Sequence, residues 1–201
     1  NGRSSEESIS VTPSRLTQKG RGQLETAVAT AATALGLHHG PIHAECRVSA
    51  RGVFVLEIAA RPIGGLCAKA LRFEPSEDPR GSTSKPATIA FEELLLRHAL
   101  GESASYWTRE SRASAVMMIP IPRSGIFRRV DGLETAIHVP HIEDIHITAK
   151  PDQQLLALPE GSSYLGFIFA RADAPAFAER AVREAHARLK FTIDPMLPIA
   201  S

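Results

Sequence analysis

Five residues stand close enough in the chain to act together: Glu45, Glu57, Arg61, Gly64 and Gly65, with His43 two positions ahead of the first carboxylate. Carboxylates held side by side repel, so either one takes up a proton or a cation sits between them. Oxygen-only ligation of that kind suits Mg²⁺ or Mn²⁺ rather than zinc, and the cation is the favoured outcome. Beyond Glu57 comes Ala60-Arg61-Pro62-Ile63-Gly64-Gly65, a positive fork followed by two glycines whose backbone amides can approach an anion closely. A divalent ion, an arginine and bare amides together describe phosphoryl-transfer chemistry. Taken singly these residues are ordinary: a strand glutamate is usually solvated, an arginine usually a surface ion-pair partner, and Gly-Gly a turn. Their succession carries the argument, with His43 as a hydrogen-bonded neighbour that orients a ligand or the strand.

The carboxylates meet only if the elements beneath them bring them together. Ile42 to Ser49 and Val53 to Ala59 are β-prone runs joined by a short glycine-containing link, the signature of a hairpin. Alternation sends Ile42, Ala44, Cys46 and Val48 to one face of the first strand and His43, Glu45 and Arg47 to the other. In the second strand Phe54, Leu56 and Ile58 form an apolar face, with Glu57 opposite, beside Val53, Val55 and Ala59. A two-residue loop would set Glu45 across from Ile58. A three-residue loop Ala50-Arg51-Gly52, with Gly52 in the left-handed conformation, sets it opposite Glu57, and only that register makes both apolar faces coincide. Cross-strand Cβ atoms would then lie roughly 4.5 to 5.5 Å apart.

Around the hairpin the pattern predicts an α+β fold, an antiparallel sheet with flanking helices. Residues 1–16 read as an irregular leading segment, 17–105 as one domain containing the hairpin, and 106–201 as a small second domain. Thr17 to Gly36 shows helical spacing with Thr17 as N-cap and Gly36 as stop. A short helix follows Gly64-Gly65 from Leu66 to Leu71, then a long loop from Glu74 to Pro86 and a helical face of Phe91, Leu94, Leu95 and His98. Strands are expected at Ala115 to Ile121, Ile126 to Val130, Asp144 to Ala149 and Tyr164 to Ala170, and a final amphipathic helix from Pro175 to Phe191. With 201 residues, 43% hydrophobic and 22% charged, the chain can bury a sizeable core yet has no apolar run long enough to span a membrane. Its 23 basic and 22 acidic residues leave a net charge of +1, which provides no basic field for a nucleic acid. Two cysteines, Cys46 and Cys67, make no disulfide framework, and a cytoplasmic setting fits. The opening Asn1-Gly2-Arg3-Ser4-Ser5 has neither an initiator Met nor an export segment, so the chain is expected to begin inside a longer polypeptide.

Gly36-Leu37, Gly40-Pro41-Ile42-His43-Ala44-Glu45 and Glu57-Ile58-Ala59-Ala60-Arg61-Pro62-Ile63-Gly64-Gly65 together resemble the metal-binding end of an ATP-grasp ligase. The resemblance covers residues from about 13 to 101. The later strands and terminal helix are similar, more weakly, to the C-terminal domain of the L-amino-acid ligase branch. It implies that Glu45 and Glu57 hold the magnesium ions of ATP, that Arg61 stabilises the transferring phosphate, and that Gly64 and Gly65 hold an acylphosphate which an amine converts to an amide. The implied enzyme is a carbon–nitrogen ligase whose partners are ATP, a small carboxylate and an amine, amino acids among them. A homodimer is the candidate assembly, with no nucleic acid and no membrane. Two features depart from the family pattern. Ala59 stands where many members carry an Asn ligand, and no nucleotide-holding lobe precedes Asn1. The chain is therefore expected to be a C-terminal piece, inactive alone.

Other candidates weigh less. His138, His141 and His146 do not align for a metal, since Pro140 opposes a helix and an extended chain turns His138 and His141 to opposite sides. Arg123 and the pair Arg128-Arg129 could line an anionic substrate pocket. Cys46 reads as a small core residue, and Cys67 as either buried or near substrate. His98, Tyr106 and Trp107 read as packing residues. Two other classes stay open: a noncatalytic docking or dimerisation module retaining the ATP-grasp scaffold, and an unrelated α+β domain whose paired carboxylates share a proton.

Overall fold

A computed structural model describes residues 9–76, 88–157, 160–161 and 163–196. In chain order the elements are β1 (Ile9–Thr12), α1 (Gln18–Ala34), β2 (His43–Ser49), β3 (Gly52–Ala59), β4 (Arg72–Pro75), β5 (Ile89–Ala90), α2 (Phe91–Ala99), β6 (Trp107–Arg109), β7 (Ala113–Ile119), β8 (Gly125–Asp131), α3 (Leu133–Ile137), β9 (Ile142–Ile147), β10 (Gln154–Leu155), β11 (Gly166–Ala172), α4 (Pro175–Arg188) and β12 (Lys190–Asp194). They divide into a hairpin unit, Arg15–Ser111, and a C-terminal unit formed by Asn1–Ser14 with Arg112–Ser201.

In the hairpin unit the hydroxyl of Thr17 accepts the Gly20 N–H at 3.2 Å and starts α1. The helix stops as the glycine predicts. Gly36 is left-handed at φ 73°, its N–H donates to Thr33 and that of Leu37 to Ala32, the paired bonds of a Schellman end. α1 packs on β3 of the two-stranded β2–β3 sheet. Downstream, a one-turn 3₁₀ helix (Cys67–Ala70) buries Cys67, Ala68 and Ala70. β4 lies between β5 and β6, so Glu74 and Pro75 belong to a strand rather than to the expected loop, whose remaining part at 77–86 lies outside the described residues. Trp107 is half-buried, donates to Glu102 at 2.6 Å and carries the Arg97 guanidinium over its ring, whereas Tyr106, expected to pack, is exposed.

The C-terminal unit contains a four-stranded antiparallel sheet ordered β1-β7-β11-β9 and a three-stranded sheet ordered β10-β8-β12. Ile9–Thr12, expected to be irregular, is an edge strand, and Ile9 and Val11 pack on the core. Its alternating apolar residues are masked in the sequence by their Ser and Arg surroundings. β11 is buried throughout because α4 covers it with Ala178, Val182 and Ala185, residues small enough for close approach. α4 ends at Arg188 instead of reaching Phe191: Leu189 is extended, and Phe191 joins β12 opposite Val130. His186, beside the Phe191 ring, loses hydration, and burial pushes its imidazole pKa down. The folded state therefore favours neutral His186, while the unfolded chain gains a proton below about pH 6.5. Stability is expected to fall as pH drops below that value, and His186→Gln to flatten the dependence, as read by urea midpoints across the acidic range.

Candidate functional site

The hairpin pairs Ser49 with Gly52, Val48 with Val53, Arg47 with Phe54 and Cys46 with Val55, leaving Ala50-Arg51 as a two-residue loop. The register then shifts between Glu45 and Cys46, so Leu56 has no partner and Glu57 falls opposite Glu45. The expected carboxylate pair is present, but a one-residue bulge in β3 creates it, not a three-residue loop. A bulge reverses the alternation of the strand that carries it. Val53 and Val55 share the half-buried face, whereas Phe54 at 46% and Leu56 at 61% are exposed, contrary to the expected apolar face of Phe54, Leu56 and Ile58.

Glu45 and Glu57 keep 59% and 55% of their side-chain surface in water. Each also has a basic neighbour. His43 Nε2 lies 3.6 Å from Glu45, and Arg61 Nη2 lies 3.9 Å from Glu57. Solvent and these neighbours offset the repulsion, so the fold tolerates the pair without forcing a cation between its members. Among the described residues no cluster of three or more His, Cys, Asp or Glu could hold a metal alone. The donor set nevertheless fits Mg²⁺, which takes one or two carboxylates and completes its shell with water and phosphate oxygens. Ala59, across from His43, supplies no ligand.

Arg61 folds back after β3, with Nη1 donating to the Pro62 carbonyl at 3.0 Å. A Cβ on Gly64 would stand 3.8 Å from that same nitrogen, so the guanidinium lies over the glycine turn. Gly65 has φ 63°, which favours glycine, and among the described residues no backbone carbonyl takes the N–H of Gly64 or Gly65. Two residues on, Cys67 is buried and its thiol pKa is pushed up by burial, which keeps it protonated and unreactive. Sequence reasoning missed the surface beside the carboxylates. On the same face, Arg47 stands opposite Phe54, and with Arg51 and Leu56 these line a concavity of about 420 Å³. Phe54 and Leu56 face outward because the ladder keeps the register of the Ala50-Arg51 loop as far as Val55, which no residue type announces.

Arg123, Arg128 and Arg129 of the C-terminal unit are committed to its own structure. Arg123 donates to the Ile193 carbonyl, Arg128 pairs with Asp194 and Asp152, and Arg129 pairs with Asp131. His138 Nδ1 bonds the Glu134 carbonyl, and His98 Nδ1 that of Glu102.

Two family models match successive parts of the chain: residues 1–70 the "ATP-grasp domain" and residues 117–194 the "L-amino acid ligase C-terminal domain 2". The L-amino acid ligase of Bacillus licheniformis is 26% identical and superimposes with a TM-score of 0.74, covering 93% of this chain and 44% of that one. The biotin carboxylase domain of the Hydrogenobacter thermophilus 2-oxoglutarate carboxylase, solved as a dimer with MgADP and bicarbonate, is 16% identical with a TM-score of 0.58, covering 92% of this chain and 39% of that one. An uncharacterized protein of Sinorhizobium fredii, y4rH, is 24% identical over 81% of this chain and 31% of its own length. Successive parts of the chain thus resemble an ATP-grasp domain and the C-terminal domain of an L-amino-acid ligase, and its fold is similar to that of the L-amino acid ligase structure. The chain spans under half of these solved structures and about a third of the curated relative. No helix among the described residues is long and apolar enough to cross a membrane.

Because the two carboxylates are exposed and like-charged, Glu45→Gln is expected to stabilise the metal-free hairpin slightly, by at most about 0.5 kcal/mol. Added MgCl₂ should erase that advantage. Urea titrations with and without the salt check both signs.

Proposed function

We propose that this chain supplies the catalytic hairpin of an ATP-dependent carboxylate–amine ligase, which forms an amide through an acylphosphate. The observation that carries the reading is the cross-strand pairing of Glu45 with Glu57 ahead of Arg61 and the glycine turn. Glu45 and Glu57 would hold Mg²⁺, which when bound neutralises charge on the nucleotide phosphates. Arg61, next to Glu57 and lying over Gly64, is placed to meet negative charge as it develops on the transferring phosphoryl group. The N–H groups of Gly64 and Gly65 offer donors to the acylphosphate while the amine attacks its carbonyl carbon and phosphate leaves. His43 positions the Glu45 carboxylate. The exposed Phe54 and Leu56, with Arg47 and Arg51, offer apolar contact and positive charge to the rest of the nucleotide. The substrates in this reading are ATP, a small carboxylate and an amine, amino acids among them, and the chain acts as one part of a larger enzyme, without turnover alone. Arg123 remains a candidate only for positioning, through its bond to Ile193.

In the intact enzyme Glu57→Gln is expected to lower amine-dependent ADP release about 10²- to 10³-fold, the usual consequence of losing one electrostatic group at a phosphoryl-transfer centre. Normal turnover by that variant would refute the assignment.

A further inference from the structure

Helix α4 presents three arginines, and two of them are paired along the helix. Arg183 bonds Glu179 at 3.0 Å and Arg188 bonds Glu184 at 2.6 Å. Arg180 is different: four residues before it stands Ala176, and four after it Glu184, already engaged by Arg188. Among the described residues no carboxylate lies within ion-pair distance of Arg180, whose guanidinium instead rests over Phe177, 5.1 Å from the ring centre. The Phe177 ring is 44% exposed, and the imidazole of His141 lies nearly parallel to it, at 14° and 6.3 Å.

His141 reaches that position with a left-handed backbone, φ 75°, uncommon for a residue with a Cβ. Its carbonyl is fixed from beneath by the Arg171 N–H at 2.9 Å, and the buried Arg171 side chain is tied to Glu143 at 2.9 Å. The backbone is thus held in an unusual conformation that places His141 against Phe177. Together with Pro140, Ala181 and Glu184 these three residues line a concavity of about 160 Å³.

A cation without a carboxylate, a carboxylate with one oxygen in use and an aromatic wall within one small concavity match the two charges and short side chain of a small α-amino acid. We propose that this concavity binds such an amino acid. Arg180 and His141 take its carboxylate, the second oxygen of Glu184 takes its ammonium group, and Phe177 and Pro140 receive its side chain. All the residues belong to the C-terminal unit, and the inference does not rest on the ligase reading.

The test is an NMR titration of the 201-residue chain with L-alanine, acetate and inorganic phosphate. L-alanine should shift the amides of residues 140–141 and 177–184 saturably, acetate should do so more weakly, and phosphate should not. Arg180→Met should weaken L-alanine binding about tenfold or more with an unchanged circular dichroism spectrum, and Glu184→Gln should weaken L-alanine while leaving acetate as it was. If Arg180→Met fails to fold, the contrast between L-alanine and acetate in Glu184→Gln decides. The proposal is overturned if L-alanine produces no saturable shift, if phosphate or acetate matches it, or if Glu184→Gln binds L-alanine like the parent.

Discussion

One unpaired residue governs the geometry of the hairpin. Leu56 is the extra residue of β3, and its bulge places Glu57 opposite Glu45. Without the shift, the loop of Ala50-Arg51 would carry a straight ladder to a Glu45–Leu56 pair. A single register step exchanges the two faces of a strand, because side chains alternate with a period of two. The Ala50-Arg51 register sets Phe54 on the exposed face with Arg47 and Leu56 beside it, and the bulge then brings Glu57 to that same face, so the acidic pair and the apolar surface lie side by side.

The pair is kept at moderate electrostatic cost. Both carboxylates remain more than half exposed, and His43 and Arg61 each stand within 4 Å of one of them. In the proposed reading, solvent exposure would leave both carboxylates free to take up a divalent ion together with phosphate oxygens. The supports around it are tighter. Gly36 closes α1 with paired backbone bonds, and beyond Gly65 the Cys67–Ala70 turn is buried. The C-terminal unit follows a different rule, with alanines on α4 allowing close packing over β11.

Much of this was legible in the residues. Thr17 and Gly36 bound α1 through a side-chain acceptor and a left-handed stop, local devices that need no tertiary context. The Glu45–Glu57 pairing was also reached, although the apolar face of Phe54, Leu56 and Ile58 that argued for it is not the face the hairpin buries. The route to it was not, because the sequence pattern shows the distance between two strand segments but not which residue the ladder skips. Ile9–Thr12 and Lys190–Asp194 were missed for a related reason: short edge strands take their identity from the partners β7 and β8, far away in sequence. The exposed shelf of Phe54 and Leu56 was hidden because two large apolar residues at alternate positions normally mean core.

The most direct test is the inter-strand contact pattern of the hairpin itself, read from nuclear Overhauser effects between backbone protons of β2 and β3. Backbone contacts joining residue 45 to residue 57, and 46 to 55, with none pairing Leu56, are the predicted result. A regular ladder that pairs Glu45 with Leu56 or with Ile58 would contradict the account.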